Sequence, residues 1–131
     1  MRYAQITGWG KYAPPLLMTN DDMAKVVDTS DEWIYSRSGI RQRHYSHVST
    51  GEMAWLAAER ALAAAGVDAD DIDLVVLGST TPEEICPNTA SYIKNKLGAK
   101  KAAAFDLNSA CTSWFYGLNA ATDMIRAGSI S

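Results

Sequence analysis

Three features of the sequence predict an α/β fold: apolar runs of strand length at residues 74–77 and 102–107, amphipathic helical segments around them, and a glycine just past several of those segments. Leu74-Val75-Val76-Leu77 is apolar at every position between Asp73 and Gly78. That is the pattern of a strand covered on both faces, so helices should flank it. With 131 residues, 47% hydrophobic and 21% charged, the chain has the balance of a soluble globular protein and needs no metal or disulfide to hold a core.

Residues 3–10 read as a short strand ending in glycine, and Tyr12-Ala13-Pro14-Pro15 as a turn, because two prolines forbid helix there. Thr19 and Asn20 are caps for a short helix reaching about residue 27, with Asp21 and Asp22 where negative charge complements the helix dipole. Asp28-Thr29-Ser30 interrupts it; Ser30 then caps a second short helix containing Trp33, and Gly39 supplies its left-handed stop. A basic, partly extended segment follows over 40–45. Ser49-Thr50-Gly51-Glu52 has capping-box spacing and opens a helix to about residue 65, with Met53, Leu56, Ala57, Ala61 and Ala64 near one face. Past the 74–77 strand, 79–87 is a loop with two prolines, and Asn88 or Thr89 caps a helix to about residue 97. The strand at 102–107 then meets Asn108-Ser109-Ala110-Cys111, a tight junction into a last helix over about 112–127. Its face carries Phe115, Leu118, Thr122 and Ile125. No repeat, linker or low-complexity run divides the chain, so 1–131 reads as part of one domain.

A net charge of −3 argues against a nucleic-acid or anionic-membrane surface, because neutralising phosphates is the main source of such affinity. There is no run of about 20 apolar residues to span a bilayer, and no secretory apolar region follows Met1-Arg2-Tyr3, so the expected compartment is the cytoplasm. Cys86 and Cys111 are the only cysteines and lack Cys-x-x-Cys spacing; even with His44 and His47 added, no metal site is expected. The two histidines read as partly exposed members of a polar segment, with nothing local pairing them to Cys111.

Cys111 has a chemical case of its own. Preceded by a strand and opening a helix, its sulfur would lie near unpaired amides at the positive end of that helix. Such a setting favours the thiolate and leaves N–H groups for an oxyanion. A buried core cysteine is the alternative that position alone leaves open.

The segment Ala104-Phe105-Asp106-Leu107-Asn108-Ser109-Ala110-Cys111-Thr112-Ser113-Trp114-Phe115-Tyr116-Gly117-Leu118 resembles the active-site segment of the β-ketoacyl-acyl-carrier-protein synthase III family. Asp28-Thr29-Ser30-Asp31-Glu32-Trp33-Ile34 with Ser38-Gly39-Ile40-Arg41 resembles its amino-terminal signature, and Ser79-Thr80-Thr81-Pro82 lies between them where the family has a similar loop. The resemblance covers essentially the whole chain. It implies the amino-terminal portion of a thiolase-like α-β-α-β-α fold, incomplete in this chain, which stops just after a helix where another strand would be expected.

What the resemblance further implies is a ping-pong condensation. Cys111 would accept the acyl group of an acyl-CoA and pass it to the carbanion of decarboxylating malonyl-acyl carrier protein, with CoA thioester as substrate and neither cofactor nor metal. Trp33 would stack on the CoA adenine, Thr29 would hydrogen-bond near the base, and Arg37 would approach the phosphates; Arg41 and Arg43 are expected on a solvated strand face. Cys86 would be a wall of the acyl pocket in the dimer partner, smaller than the phenylalanine of some members and so roomier. The family's catalytic histidine and asparagine belong to its carboxy-terminal half, so a complementary carboxy-terminal polypeptide and a homodimer are expected of the intact protein. Ser113 and Trp114 depart from the family's usual glycine and smaller aromatic, which bears on substrate range. Two other readings remain: an acyl-cysteine enzyme with another acceptor, joining acyl-CoAs or transferring acyl groups, and a non-catalytic piece that works beside a second chain.

Overall fold

The chain leaves Pro14 and Pro15 as an extended strand, β1 (Leu16–Thr19), which pairs antiparallel with β2 (Gln42–Tyr45) in the register Leu16 to Tyr45 and Thr19 to Gln42. The computed structural model describes residues 2–131. Between these strands lie α1 (Asn20–Ala24) and α2 (Asp31–Ser38). Thr19 caps α1 through a reciprocal box with Asp22, whose carboxylate also takes Lys25 at 2.7 Å; the lysine bond holds that carboxyl well below the usual range. The helix ends at Ala24, three residues short of the expected limit, and the chain turns through 25–27. Ser30 caps α2 and Gly39 closes it at φ 70°, both as expected.

Asn20 is the anchor of this unit, Ala13–Val48, and is 1% exposed. Its Nδ2 donates to Asp31 Oδ1 at 2.7 Å and to the Ile40 carbonyl at 2.8 Å, while its Oδ1 accepts from Arg43 Nη2 at 2.7 Å. Arg43 is therefore engaged within the unit and not on a solvated face. Arg41, the other arginine expected there, lies over the Tyr35 ring at 3.8 Å and pairs with Asp31 at 3.5 Å. The Nδ1–H of exposed His44 donates to the Pro14 carbonyl at 2.6 Å.

The other unit comprises the amino-terminal residues up to Tyr12 together with Ser49–Ser131. Its helices are α3 (Thr50–Ala65), α4 (Thr89–Leu97) and α5 (Ser113–Ala127), and β3 (Leu74–Gly78) pairs in parallel with β4 (Ala103–Leu107). The caps follow the sequence: Ser49 accepts from the Glu52 N–H, Asn88 from the Ser91 N–H, and Gly66, Gly98 and Gly128 close the three helices. Parallel pairing needs a crossover, and α4 supplies it. The tightest core lies where α4 meets β4, at Ala90, Ile93, Ala99 and Ala102.

Two expectations change here. Residues 3–10 are not a strand: they run alongside α3, with no ladder partner among the described residues. Gly8 and Gly10 permit this close approach, since a Cβ on Gly8 would come 2.6 Å from the Ala61 carbonyl, and one on Gly10 would collide with Ala57. Leu74–Leu77, expected to be covered on both faces, are half-buried although α4 and α5 both pack on β3. An open groove of ≈ 400 Å³ runs along that strand past Val76, Trp114 and Leu118.

Candidate active site

β4 delivers the chain to Asn108, and the next residues form a strained corner. Ala110 takes a φ of 48°, a left-handed conformation that costs a residue with a Cβ about 1–3 kcal/mol. Cys111 is the middle of a 3₁₀ turn, Ala110–Thr112, and α5 begins two residues after it. Its side chain is exposed. Thr112, at the N-cap of α5, makes no side-chain bond to the helix amides, and the Ser113 N–H donates to the Ala110 carbonyl.

Polar side chains fasten this corner. The Ser109 N–H donates to Ser113 Oγ at 2.8 Å, the Thr112 hydroxyl donates to the Ser109 carbonyl at 2.6 Å, and the Ala110 N–H reaches Asn108 Oδ1 at 3.4 Å. Ser113 is 2% exposed and lies against the end of β3, where a Cβ on Gly78 would sit only 2.7 Å from the Ser113 Cβ. Gly78 thus lets β3 and the start of α5 touch. Trp114 and Phe115, which follow, meet edge to face at 5.1 Å and are 62% and 63% exposed.

The loop with Cys86 is exposed at its tip, with Cys86 and Ile85 open to solvent. Its base is held by Glu83, whose Oε1 accepts the Gly51 N–H at 2.5 Å at the start of α3 and whose Oε2 accepts the Thr89 hydroxyl at 3.0 Å at the start of α4. Partial burial pushes the Glu83 carboxyl up. Hydrogen bonds from the Gly51 N–H, the Ser49 hydroxyl, its own N–H and the Thr89 hydroxyl outweigh that and hold it below the usual glutamate range. From the other side, Asp106 of β4 accepts the Thr89 and Ala90 N–H groups at 3.0 and 2.7 Å. A chain of hydrogen bonds therefore runs from the strand that precedes Cys111 to the base of the Cys86 loop.

Thr29, Trp33 and Arg37 belong to the unit Ala13–Val48. Trp33 and Arg37, one helical turn apart, share a face of α2, and the guanidinium lies 4.9 Å from the centre of the indole. Trp33 is 56% exposed. Thr29 precedes the Ser30 cap, and its hydroxyl oxygen is shielded from solvent without a hydrogen-bond partner. Among the described residues no cluster of histidine, cysteine, aspartate or glutamate could hold a metal ion.

Residues 35–131 match the family described as "Thiolase, N-terminal domain". The chain belongs to the thiolase family. Relatives carry the synthase III resemblance across nearly its full length: the chain is 50% identical over 126 residues to β-ketoacyl-[acyl-carrier-protein] synthase III 2 of Vibrio vulnificus, covering 96% of this chain and 35% of that protein. Among solved structures it is similar to the 3-oxoacyl-[acyl-carrier-protein] synthase III of Aquifex aeolicus, with a TM-score of 0.89, 39% identity, and coverage of 95% of this chain and 41% of that one. The corresponding synthase III of Pseudomonas aeruginosa gives 0.88 and 41%, covering 97% and 39%. The thiolase-like fold read from the sequence is thus shown, and the chain spans about two fifths or less of the length of each of these proteins.

The residues that sequence reasoning missed are the ones that hold the site. Glu83 and Asp106 are single carboxylates whose importance depends on which amides face them. Asp106 carried one signal, a charge inside an otherwise apolar strand. Ser113 departs from the family's usual glycine, and its bond to the Ser109 N–H has no sequence signal.

Proposed function

We propose that this protein supplies the acyl-accepting half of a β-ketoacyl-acyl-carrier-protein synthase III-type enzyme, which starts fatty-acid or related polyketide synthesis by condensing an acyl-CoA primer with malonyl-acyl carrier protein. The observation that carries the reading is the exposed Cys111 on a strained strand-to-helix corner, in a chain half identical to a synthase III. The thiolate attacks the acyl-CoA carbonyl, the tetrahedral intermediate collapses with loss of CoA thiolate, and the acyl thioester remains on Cys111. In this reading the positive end of α5 favours negative charge during the attack.

Trp33 offers its open face to the adenine, Arg37 its guanidinium to phosphate, and Thr29 its unpaired hydroxyl to the base. Cys86 forms a small wall of the acyl pocket. Condensation needs the family's histidine and asparagine, which this reading assigns to a carboxy-terminal polypeptide, and the intact enzyme acts as a homodimer in the cytoplasm. Exposed Trp114, Phe115 and Tyr116 offer apolar surface for such partners. No helix of the described residues is long and apolar enough to cross a membrane.

The test is primer selection by the protein purified with the polypeptide that completes it. Wild type should form a β-ketoacyl product from malonyl-acyl carrier protein and accept primers longer than acetyl, whereas Cys86→Phe should shorten the preferred primer and keep acetyl transfer. If acyl-CoA is consumed without decarboxylation of malonyl-acyl carrier protein, the acceptor is wrong and acyl transfer replaces condensation. Identical chain-length profiles would remove Cys86 from the pocket.

A further inference from the structure

Ser113 has no part in the chemistry just described, yet its side chain is the most deeply placed polar group beside the nucleophile, at 2% exposed. Its Oγ accepts the Ser109 N–H at 2.8 Å, spanning the strained residue Ala110 and Cys111. The same side chain abuts β3, because its Cβ occupies space that any Cβ at residue 78 would need. One hydroxyl therefore joins the residue before the strain to the first residue of α5, and α5 in turn is fixed on the sheet. The Ser109 hydroxyl adds a 3.0 Å contact with Thr112 Oγ1, and the Thr112 hydroxyl returns to the Ser109 carbonyl, so the corner is closed from both sides.

We propose that Ser113 is a positioning residue for acyl transfer: its hydroxyl holds the Ser109–Thr112 corner in the strained form that presents the Cys111 thiol at the end of α5. The inference rests on the reading of Cys111 as the acyl acceptor. Without the Oγ acceptor, the Ser109 N–H loses its partner and Ala110 has less to keep it at positive φ. The corner then samples relaxed geometries in which the sulfur leaves the helix end. The loss falls on the rate of attack and not on CoA binding, because the residues proposed to hold CoA lie on α2 and beside its cap.

Single-turnover acylation by acetyl-CoA, followed by peptide mass mapping in the assembled enzyme, tests this. Ser113→Ala, which removes one oxygen and leaves the packing against Gly78, should lower the limiting rate of Cys111 acylation about tenfold, the factor lost with one hydrogen bond. The half-saturating acetyl-CoA concentration should stay the same. Thr112→Val, which cuts the second fastening at an exposed position, should slow acylation in the same way and covers the case in which Ser113→Ala fails to fold. Unchanged limiting rates in folded variants, or an effect confined to half-saturation, would overturn the positioning role while Cys111 stands. Acylation that persists in Cys111→Ser would instead overturn the reading beneath it.

Discussion

The two regions that carry the proposed chemistry are built on opposite plans. In Ala13–Val48, Trp33 and Arg37 ride on a regular helix with an ordinary serine cap and glycine stop, and the unit is tied together elsewhere, at Asn20. At Cys111 the backbone itself is irregular: a residue at positive φ, a 3₁₀ turn, and side chains bonded to the main chain. Binding groups need only a common face, which helical spacing provides. A reacting atom needs one orientation, and for Cys111 in the proposed role it would come from a corner whose strain must be opposed by specific hydrogen bonds.

The contrast is broken most directly at Asn20. Asn20→Ala strips partners from Asp31, Arg43 and the Ile40 carbonyl, and should destabilise the 13–48 unit by about 3 kcal/mol, since groups bonded to a charged partner are left unpaired. Hydrogen exchange resolved by segment checks it: faster exchange is expected in α1, α2 and β2, with little change around Cys111. Equal loosening of both regions would mean that they are not separately held.

Trp33→Ala sharpens the contrast from the other side. It should weaken CoA binding by about 1–3 kcal/mol through loss of the stacking face, with the limiting rate of Cys111 acylation retained. Calorimetry with CoA reads this, and an unchanged affinity would remove α2 from the site.

The smallest effect expected is pH dependence at Glu83. Its carboxyl lies below the ordinary value of 4.5 when folded, so its contribution to stability is complete above that value and is lost as pH falls through the folded value. Glu83→Gln should therefore flatten the acid limb of the stability curve, measured by denaturant unfolding from neutral pH down to values below 4.5. An acid limb that is the same in both forms would mean that the Gly51 and Thr89 bonds do not depend on its charge.

How much of this was legible in the sequence follows the same division. The caps at Thr19, Ser30, Ser49 and Asn88 and the glycine stops were readable because a cap depends on residue type at a fixed offset from its helix. β3, β4 and the position of Cys111 between strand and helix were readable for a similar reason. β1 was not, because the prolines before it suggest a turn and its four residues are a strand only through pairing with Gln42–Tyr45. Residues 3–10 have strand composition, but a strand exists only where a partner offers a ladder. The family motif identified Cys111, Trp33, Thr29 and Arg37 without their geometry. The positive φ at Ala110 is held by side-chain bonds among neighbours that residue type alone does not announce, and the convergence on Glu83 and Asn20 depends on residues distant in sequence.

The central claim is that Cys111 is the thiol that becomes acylated, and locating the acyl group tests it most directly. After incubation of the assembled enzyme with acetyl-CoA and rapid acid quench, peptide mass mapping should find one acetyl group on Cys111 and none on Cys86, in a thioester that hydroxylamine removes. Cys111→Ser should carry no acetyl group, because an alkoxide forms far less readily than a thiolate at neutral pH and a helix end cannot make up the difference. An acetyl group on Cys86, or a Cys111→Ser protein that turns over as wild type does, would contradict the account even with the thiolase fold in place.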